Sequence, residues 1–354
     1  MPKNRLQFAK PKGFTSVIAA TMFSPRYLVP ILLLATGCIR AGSVEVSQVA
    51  LVARKPANVA VVVAVNREER GVTYLTARNF RVSENGMPLD SAQIDLRLLP
   101  ASAVIARHVA LLIDMSRPLD DERRSQLFNG LATLVGNLRH RQSVSLYAFD
   151  GSEQAQFVAE FARNIGDKLT QTDLGLAKLL GFHPRDTSTS LYSAIMDTAK
   201  KLDHTMATEK EPLHRGTIVV IAQNPDLAGR VSEPEARKFV QDSPHNYFLL
   251  TVGKWATQTD VSWLGKTQAL QAASFNTMSS TLEAIADSVE NDFFRFYVVS
   301  YCTPARTGTR ELTVDVTASD DKGQSQTGRT SAAFEAKDFG PNCHSNTTPS
   351  FVQK

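Results

Sequence analysis

Residues that commonly build catalytic and metal sites are scarce in this chain of 354 residues. It holds three cysteines and seven histidines, and none of them stands at a zinc-site spacing such as Cys-x-x-Cys. A Gly-x-Ser-x-Gly turn, a P-loop and a Gly-x-Gly-x-x-Gly segment are all missing. Acyl transfer, nucleotide hydrolysis and dinucleotide binding therefore lack their usual signals. The sequence predicts a protein that is not an enzyme.

Acidic residues are missing from the first 38 positions, which carry five lysines or arginines. Without that segment the chain has 34 basic and 35 acidic residues, so the formal charge of +4 becomes −1. A body this balanced lacks the basic excess of proteins that bind polyanions, and no nucleic-acid partner is expected. The 43% hydrophobic content is that of a globular protein with a sizeable core.

The beginning of the chain lacks an apolar run long enough to span a membrane. Residues 27–35 form an apolar stretch, but spanning a bilayer takes roughly 20 residues. The stretch follows Arg26 and ends shortly before Cys38, which is the order of segments in a signal for export. We therefore assign residues 1–38 to an export signal, with Met22 as an alternative start of translation.

The sequence LATGC, which ends at Cys38, resembles the box at which bacterial lipoproteins are cleaved and lipidated. The resemblance implies a lipid anchor on Cys38 and a place in the cell envelope, in the periplasm or at the outer membrane. An ordinary signal peptide that is cut nearby, which would give a secreted protein, is the alternative. With Cys38 set aside, Cys302 and Cys343 are an even pair in an oxidising compartment and a candidate disulfide. Two buried thiols are the alternative for that pair.

Three zones follow the export signal. Residues 43–102 alternate in short β-rich pieces separated by turn-prone segments, which predicts a small β domain. Residues 105–300 alternate apolar strands with amphipathic helices and predict a doubly wound, mostly parallel α/β sheet. Residues 301–338 predict a C-terminal β extension, and the polar residues 339–354 predict a loose tail.

Within the α/β zone, Val109–Ile113 reads as a strand that is buried on both faces of the sheet. Asp114 ends this strand and Ser116 follows it. His108 starts the strand, about 20 Å from Asp114 at about 3.3 Å per residue, so the two side chains are not expected to share one site. Any ligand crevice of such a sheet lies at the carboxyl ends of its strands.

Five segments carry recognisable patterns in a consistent order. They are Leu75–Gly86, Asp114–Ser116, Ser188–Ile195, Thr217–Asp226 and Phe296–Pro304. Together they resemble the von Willebrand factor type A domain family, in particular a bacterial group in which a small β domain precedes the A domain. The resemblance runs over residues 43–317. It implies an α/β fold and a protein-binding or adhesion function.

In that family a metal-ion-dependent adhesion site lies at the strand ends. By resemblance, Asp114, Ser116 and Thr189 match ligands of Mg²⁺ or another divalent cation. Pro118 stands where the motif has a third oxygen ligand. The site is therefore expected to be degenerate, because hard cations bind according to the charge and number of their oxygen ligands.

A second departure lies on another loop, where Gln223 replaces an aspartate and Asn224 the glycine that follows it. Asp226 matches a later aspartate, which the motif does not use as a direct ligand. The alternative interpretation of the degenerate site is structural. In that interpretation Asp114 and Ser116 form hydrogen bonds with neighbouring loops and cap the following helix.

The sequence thus predicts a protein-binding module of a bacterial envelope lipoprotein. It would dock an unidentified protein through the loops that follow residues 114, 186 and 222, and it would attach to the membrane through its lipid. The first alternative is a structural or assembly scaffold of the cell envelope with a vestigial site. The second is a hydrolase with an unusual site, which the missing motifs disfavour.

Overall fold

The structure is a computed structural model that describes residues 43–351, apart from 69, 164–169, 258, 321, 347, 348 and 350. For residues 170–173 it describes the backbone alone. The predicted export signal, Met22 and Cys38 lie outside the described residues. Within the described part of the chain, no helix has the length and apolar character needed to cross a membrane.

Fifteen strands and five α-helices make up the described chain. The strands are β1 (Val44–Arg54), β2 (Asn58–Arg67), β3 (Arg70–Gly71), β4 (Phe80–Glu84), β5 (Met87–Pro88), β6 (Arg97–Leu99), β7 (Ile105–Asp114), β8 (Ser143–Phe149), β9 (Gln156–Phe161), β10 (Leu213–Ala222), β11 (Asn246–Val252), β12 (Gln268–Ala272), β13 (Phe296–Cys302), β14 (Gly308–Ser319) and β15 (Ser325–Ala336). The helices are α1 (Asp121–Arg139), α2 (Thr170–Leu180), α3 (Leu191–Met206), α4 (Glu233–Asp242) and α5 (Met278–Phe294).

Six strands form the α/β layer, in the order β12-β11-β10-β7-β8-β9. All pairs are parallel except β8 with β9. The central strands are apolar runs buried on both faces, because α1, α2 and α5 pack on one face and α3 and α4 on the other. The predicted α/β fold class is confirmed. β7 and β10 are neighbours at the point where the strand order reverses, so a crevice opens beside their carboxyl ends.

A β sandwich forms the rest of the described chain. One sheet has the order β1-β2-β13-β6, with β3 paired to β2, and the other has the order β15-β14-β4-β5. The facing side chains alternate along the strands and form one apolar core.

The predicted zone boundaries do not match this sandwich, which takes strands from both ends of the chain. β13, placed in the α/β zone by sequence, pairs with β2, and β14 pairs with β4. The physical reason lies in β2, whose alternate side chains enter two different apolar clusters. A strand buried on both faces and in the middle of a sheet needs a neighbour on each side, and β1 supplies only one of them.

The C-terminal tail, predicted to be loose, packs against the sandwich. Cys302 and Cys343 are joined by a disulfide, with 41 residues of sequence separation. The Ser345 hydroxyl donates to the Asp95 carboxylate at 2.7 Å, and Phe351 is 5% exposed within an apolar cluster. The disulfide joins the candidate pair that the cysteine count gave. The contacts of Ser345 and Phe351 join residues far apart in the chain, so the polar local composition of the tail did not predict them.

Candidate functional site

Three loops meet at the carboxyl edge of the parallel sheet. The first follows β7 and carries Ser116, the second precedes α3 and carries Thr189, and the third follows β10 and carries Gln223 and Asn224. They meet because β7 and β10 are adjacent strands and α3 begins above them. Asp114, at the end of β7, lies at the centre of their contacts.

The Asp114 carboxylate accepts five hydrogen bonds from protein groups. Its Oδ1 accepts from the Ser116 amide at 3.0 Å and the Ser116 hydroxyl at 2.6 Å. Its Oδ2 accepts from the amides of Gln223 and Asn224 at 2.9 and 3.1 Å, and from the Asn224 side chain at 3.4 Å. The Gln223 side-chain amide donates to the backbone oxygen of Asp114 at 2.7 Å. We call this network, with Thr189, the Asp114 cluster.

The centre of the Asp114 cluster is closed to solvent. Asp114, Ser116 and Thr189 are each 0% exposed. The Ser116 and Thr189 hydroxyl oxygens lie 2.9 Å apart. Because the Ser116 proton is directed at Asp114, the Thr189 hydroxyl is the donor in this pair. Burial raises the pKa of the Asp114 carboxyl, and the hydrogen bonds from Ser116, Gln223 and Asn224 lower it by less.

The donor set of the Asp114 cluster does not fit a hard divalent cation. Such an ion is held by several oxygen ligands whose number and charge set its affinity, whereas the carboxylate of Asp114 is the single charged oxygen ligand in this cluster. That carboxylate already accepts protein hydrogen bonds, and Pro118 contributes no side-chain oxygen. Within the described residues no group of three or more His, Cys, Asp or Glu side chains could hold a metal ion.

Asp226 lies on the third loop and binds backbone amides. Its Oδ1 accepts from the Tyr192 amide at 3.1 Å and its Oδ2 from the Gly229 amide at 3.0 Å. The carboxylate therefore ties the third loop to the start of α3. The cap of α1, which the structural interpretation gave to Asp114 and Ser116, comes from Asp120, whose side chain accepts from the Arg123 amide at 2.8 Å.

A second cluster of hydrogen-bonded loop residues lies beside the Asp114 cluster, and it was not predicted from the sequence. We call the two clusters locked, because hydrogen bonds hold their loops together. The Asp150 carboxylate accepts from the Arg185 amide at 2.7 Å, and the Asp186 carboxylate accepts from the Ser188 hydroxyl at 2.7 Å. Arg230 clamps the loops together, because its guanidinium donates to the backbone oxygen of Gly151 at 2.6 Å and to Asp186 at 3.3 Å. The loops that follow β8 and β10 are thereby held against the loop before α3.

A sequence signal for both clusters is the recurring pattern Asp-x-Ser. It occurs at Asp114–Ser116, Asp150–Ser152, Asp186–Ser188 and Asp260–Ser262. In every case the aspartate accepts from the serine backbone amide two residues on, at 2.8 to 3.2 Å. The pattern is thus first a local turn, in which a short carboxylate mimics a backbone acceptor. On its own it does not identify a metal ligand.

Gly151→Ala is expected to lower the free energy of unfolding by about 1–3 kcal/mol, the usual cost of forcing extra atoms into a packed region. A Cβ at Gly151 would lie 2.1 Å from the Ser188 Oγ and 2.4 Å from the Asp186 Cγ. Urea unfolding measures the loss. Gly136→Ala in α1 is the matched control, because its Cβ meets nothing within 4 Å and alanine favours a helix. If the Gly151 variant and wild type are equally stable, the locked loops can move to accept the added Cβ and are not rigid.

A groove of about 550 Å³ opens beside the Asp114 cluster, and Gln223 and Asn224 are part of its lining. Arg123 in its wall is paired with Asp120 at 3.4 Å. Arg117 is exposed and forms no ion pair within the described residues. The groove is polar, and besides the Arg123–Asp120 pair its lining holds one arginine, Arg117, and one acidic residue, Glu122, that form no ion pair with described residues.

An apolar side chain is exposed on the same face. The Leu227 and Ala228 amides donate to the backbone oxygen of Thr189 at 2.8 and 2.9 Å, which fixes this part of the third loop. The Leu227 side chain is 53% exposed. We call the groove together with Arg117 and Leu227 the strand-end face.

The sequence matches no family model and no curated protein. Among solved structures, a von Willebrand factor type A protein from Catenulispora acidiphila has 10% identity and a TM-score of 0.42, over 85% of this chain and 74% of that chain. The PilB minor pilin from Streptococcus sanguinis has 10% identity and a TM-score of 0.41, over 71% of this chain and 78% of that chain. The manganese-loaded TRAP protein from Plasmodium vivax has 10% identity and a TM-score of 0.39, over 69% of this chain and 97% of that chain.

The structures to which this chain is similar thus include von Willebrand factor type A proteins and domains. Identities and TM-scores this low say nothing about what the chain binds. The function is therefore argued from the geometry of the strand-end face and the Asp114 cluster.

Proposed function

We propose that this chain is a protein-binding module that docks an acidic partner through the strand-end face without a divalent cation. The observation that carries the proposal is the closed Asp114 cluster, a fully buried carboxylate with five protein donors. A carboxylate in that state presents no free lone pair to an ion or a partner. Arg117 and Leu227 on the same face do reach solvent, as do Asp120 and Glu122 in the groove lining.

Arg117 and Leu227 are the two groups proposed to contact the partner. An unpaired arginine at the edge of a polar groove attracts a carboxylate and can bind it with two parallel hydrogen bonds. An exposed leucine held on a fixed backbone offers apolar area that a partner can remove from water. The loops beneath them are held by the two locked clusters, so little conformational entropy is lost when a partner binds.

The proposed location of the protein is the bacterial cell envelope, with a lipid on Cys38 as the membrane anchor. The Cys302–Cys343 disulfide supports an exported protein, since such bonds persist in oxidising compartments. Mass spectrometry of the mature N-terminus tests the anchor. An N-terminal residue other than a lipid-modified Cys38 would contradict it.

Arg117→Glu combined with Leu227→Glu is expected to reduce partner recovery by about tenfold or more, because each substitution puts a carboxylate where the partner's acidic segment binds. Recovery is measured by crosslinking in intact cells, followed by quantification of the partner peptides that wild type captures. EDTA is expected to leave the recovery unchanged.

The control variant, Lys337→Glu combined with Val49→Glu, makes the same kinds of change at exposed sandwich positions. Recovery of a specific partner that is equal in both double variants would refute docking at the strand-end face. Loss of recovery in EDTA alone would refute its independence of metal. A chain that captures no partner at all would favour the alternative of a structural scaffold of the envelope.

A further inference from the structure

A second surface lies at the edge of the six-stranded sheet, between β9 and α3. β9 is the last strand of the sheet, and β8 is the only strand that pairs with it in the described part of the chain. An edge strand offers a row of backbone donors and acceptors to an added strand. The feature that distinguishes this edge is the cleft beside it.

The cleft has a volume of about 460 Å³ and an aromatic floor. Tyr147 of β8 and Phe157 of β9 form this floor, with ring centroids 5.7 Å apart in an edge-to-face arrangement. Phe157 is 58% exposed, which is a large apolar area for a side chain on a strand. We call this surface the β9–α3 cleft.

A β-bulge places Phe157 in the cleft. The register with β8 shifts between Leu146 and Tyr147, so that Leu146 lies opposite Ala159 and Tyr147 opposite Phe157. Val158 is the extra residue. Without the bulge, Phe157 would lie on the same face as the buried Ala159, because strand side chains alternate with a period of two. The bulge turns the phenylalanine out of the core side and onto the cleft.

The lining of the cleft contains more lysines than acidic residues. Lys200 and His204 of α3 are exposed, and neither forms a hydrogen bond or ion pair with a described residue. The neighbouring Lys201 is already engaged, since its ammonium donates to Asp197 and to the backbone oxygen of Ala155, each at 2.6 Å. Glu160 is the acidic residue of the lining. Lys200 is therefore the lysine of the lining whose ammonium group has no partner among the described residues, whereas the Lys201 ammonium lies 5.8 Å from the Tyr147 ring centroid.

We propose that the β9–α3 cleft binds an extended acidic segment of a partner protein, which adds to β9 as a further strand. Backbone hydrogen bonds to the edge give affinity, and alternate side chains give specificity. One side chain of the segment packs on Tyr147 and Phe157, and an acidic side chain two positions away pairs with Lys200 beside His204. The cleft is separate from the strand-end face. Ser145, near the amino end of β8, lines the cleft, whereas the strand-end face lies at the carboxyl ends of the parallel strands.

The test uses the full chain and a fluorescein-labelled octapeptide, Val-Thr-Glu-Thr-Val-Thr-Glu-Thr, in which valine and glutamate lie two positions apart on one face of the strand. Fluorescence anisotropy is expected to show saturable binding that Lys200→Glu combined with His204→Glu weakens by about tenfold or more. Phe157→Ser is expected to weaken it similarly, through loss of the apolar floor. N-methylation of every second amide, those that would point toward β9, is expected to abolish binding. It removes the hydrogen-bond donors of the added strand.

Three controls make the result decisive. The same octapeptide with lysine in place of each glutamate tests charge, Lys337→Glu tests a charge reversal elsewhere, and the Arg117→Glu/Leu227→Glu variant tests the strand-end face. The first is expected to bind about tenfold more weakly, and the two variants are expected to bind the acidic peptide as wild type does. Absence of saturable binding to wild type, equal binding of the lysine peptide, or full affinity in the Phe157 variant would each overturn the proposal. Urea midpoints of all variants show that each one is folded.

Discussion

Asp114→Ala is expected to lower the free energy of unfolding by about 3 kcal/mol, because it leaves the amides of Ser116, Gln223 and Asn224 without their acceptor in a buried place. The loss is measured by urea unfolding. If Mg²⁺ raises the unfolding midpoint of wild type and this variant abolishes the effect, the conclusion that the cluster does not fit a divalent cation is wrong.

Asp114→Asn gives a second measurement of the same cluster through pH. The folded pKa of Asp114 is raised above the ordinary value of 3.8. The contribution of the carboxyl to stability is therefore fully present below that value and is lost as pH rises through the folded pKa. The asparagine does not titrate, so the difference in stability between wild type and Asp114→Asn is expected to be larger near pH 4 than near pH 7. A difference that grows toward pH 7 would contradict the raised pKa.

Removal of the Cys302–Cys343 disulfide is expected to cost about 4 kcal/mol in the chain-entropy treatment of a loop of this size. The bond closes a loop with 41 residues of sequence separation. The Cys302→Ser/Cys343→Ser variant also frees the tail that donates to Asp95, through Ser345 at 2.7 Å. Urea unfolding measures the loss, and limited proteolysis is expected to cut the tail of the variant first. Wild type in a reductant should match the variant, and the variant itself should not respond to the reductant.

If the variant keeps full stability and a protected tail, noncovalent contacts hold the tail instead. The buried Phe351 is then the group to replace, because it packs among apolar residues of the sandwich and of the first α/β strand. This outcome would also remove one support for an oxidising compartment. The lipid on Cys38 would still be tested by its own experiment.

The sequence predicted the α/β layer because a strand that is buried on both faces is a continuous run of apolar residues. β7 (Ile105–Asp114) contains Val109–Ile113, the apolar run that the sequence placed in a strand buried on both faces. Asp114 and Ser116 follow a run of apolar residues that can only be a buried strand. Their position at a strand end was therefore predictable from local pattern alone.

Other strands have no such apolar run in the sequence. β12 (Gln268–Ala272) alternates exposed and partly buried residues at the sheet edge, and β15 (Ser325–Ala336) is rich in small polar residues. β15 is a strand because it pairs with β14 at twelve positions. Such pairing joins residues that no local window contains, and the same holds for β13 in the sandwich.

The chemistry of Asp114 was likewise decided by tertiary structure. The sequence by itself determined that a carboxylate and two hydroxyls would be near the strand ends, since Asp114, Ser116 and Thr189 occupy loops that an α/β sheet brings together. Those groups can bind a cation or one another. The choice depends on which donors face the carboxylate, and the structure directs the amides of Gln223 and Asn224 at it from a loop 109 residues away. Because a buried carboxylate that already has its donors gains little from further ligands, the cluster stabilises the loops and leaves binding to the exposed groups around it.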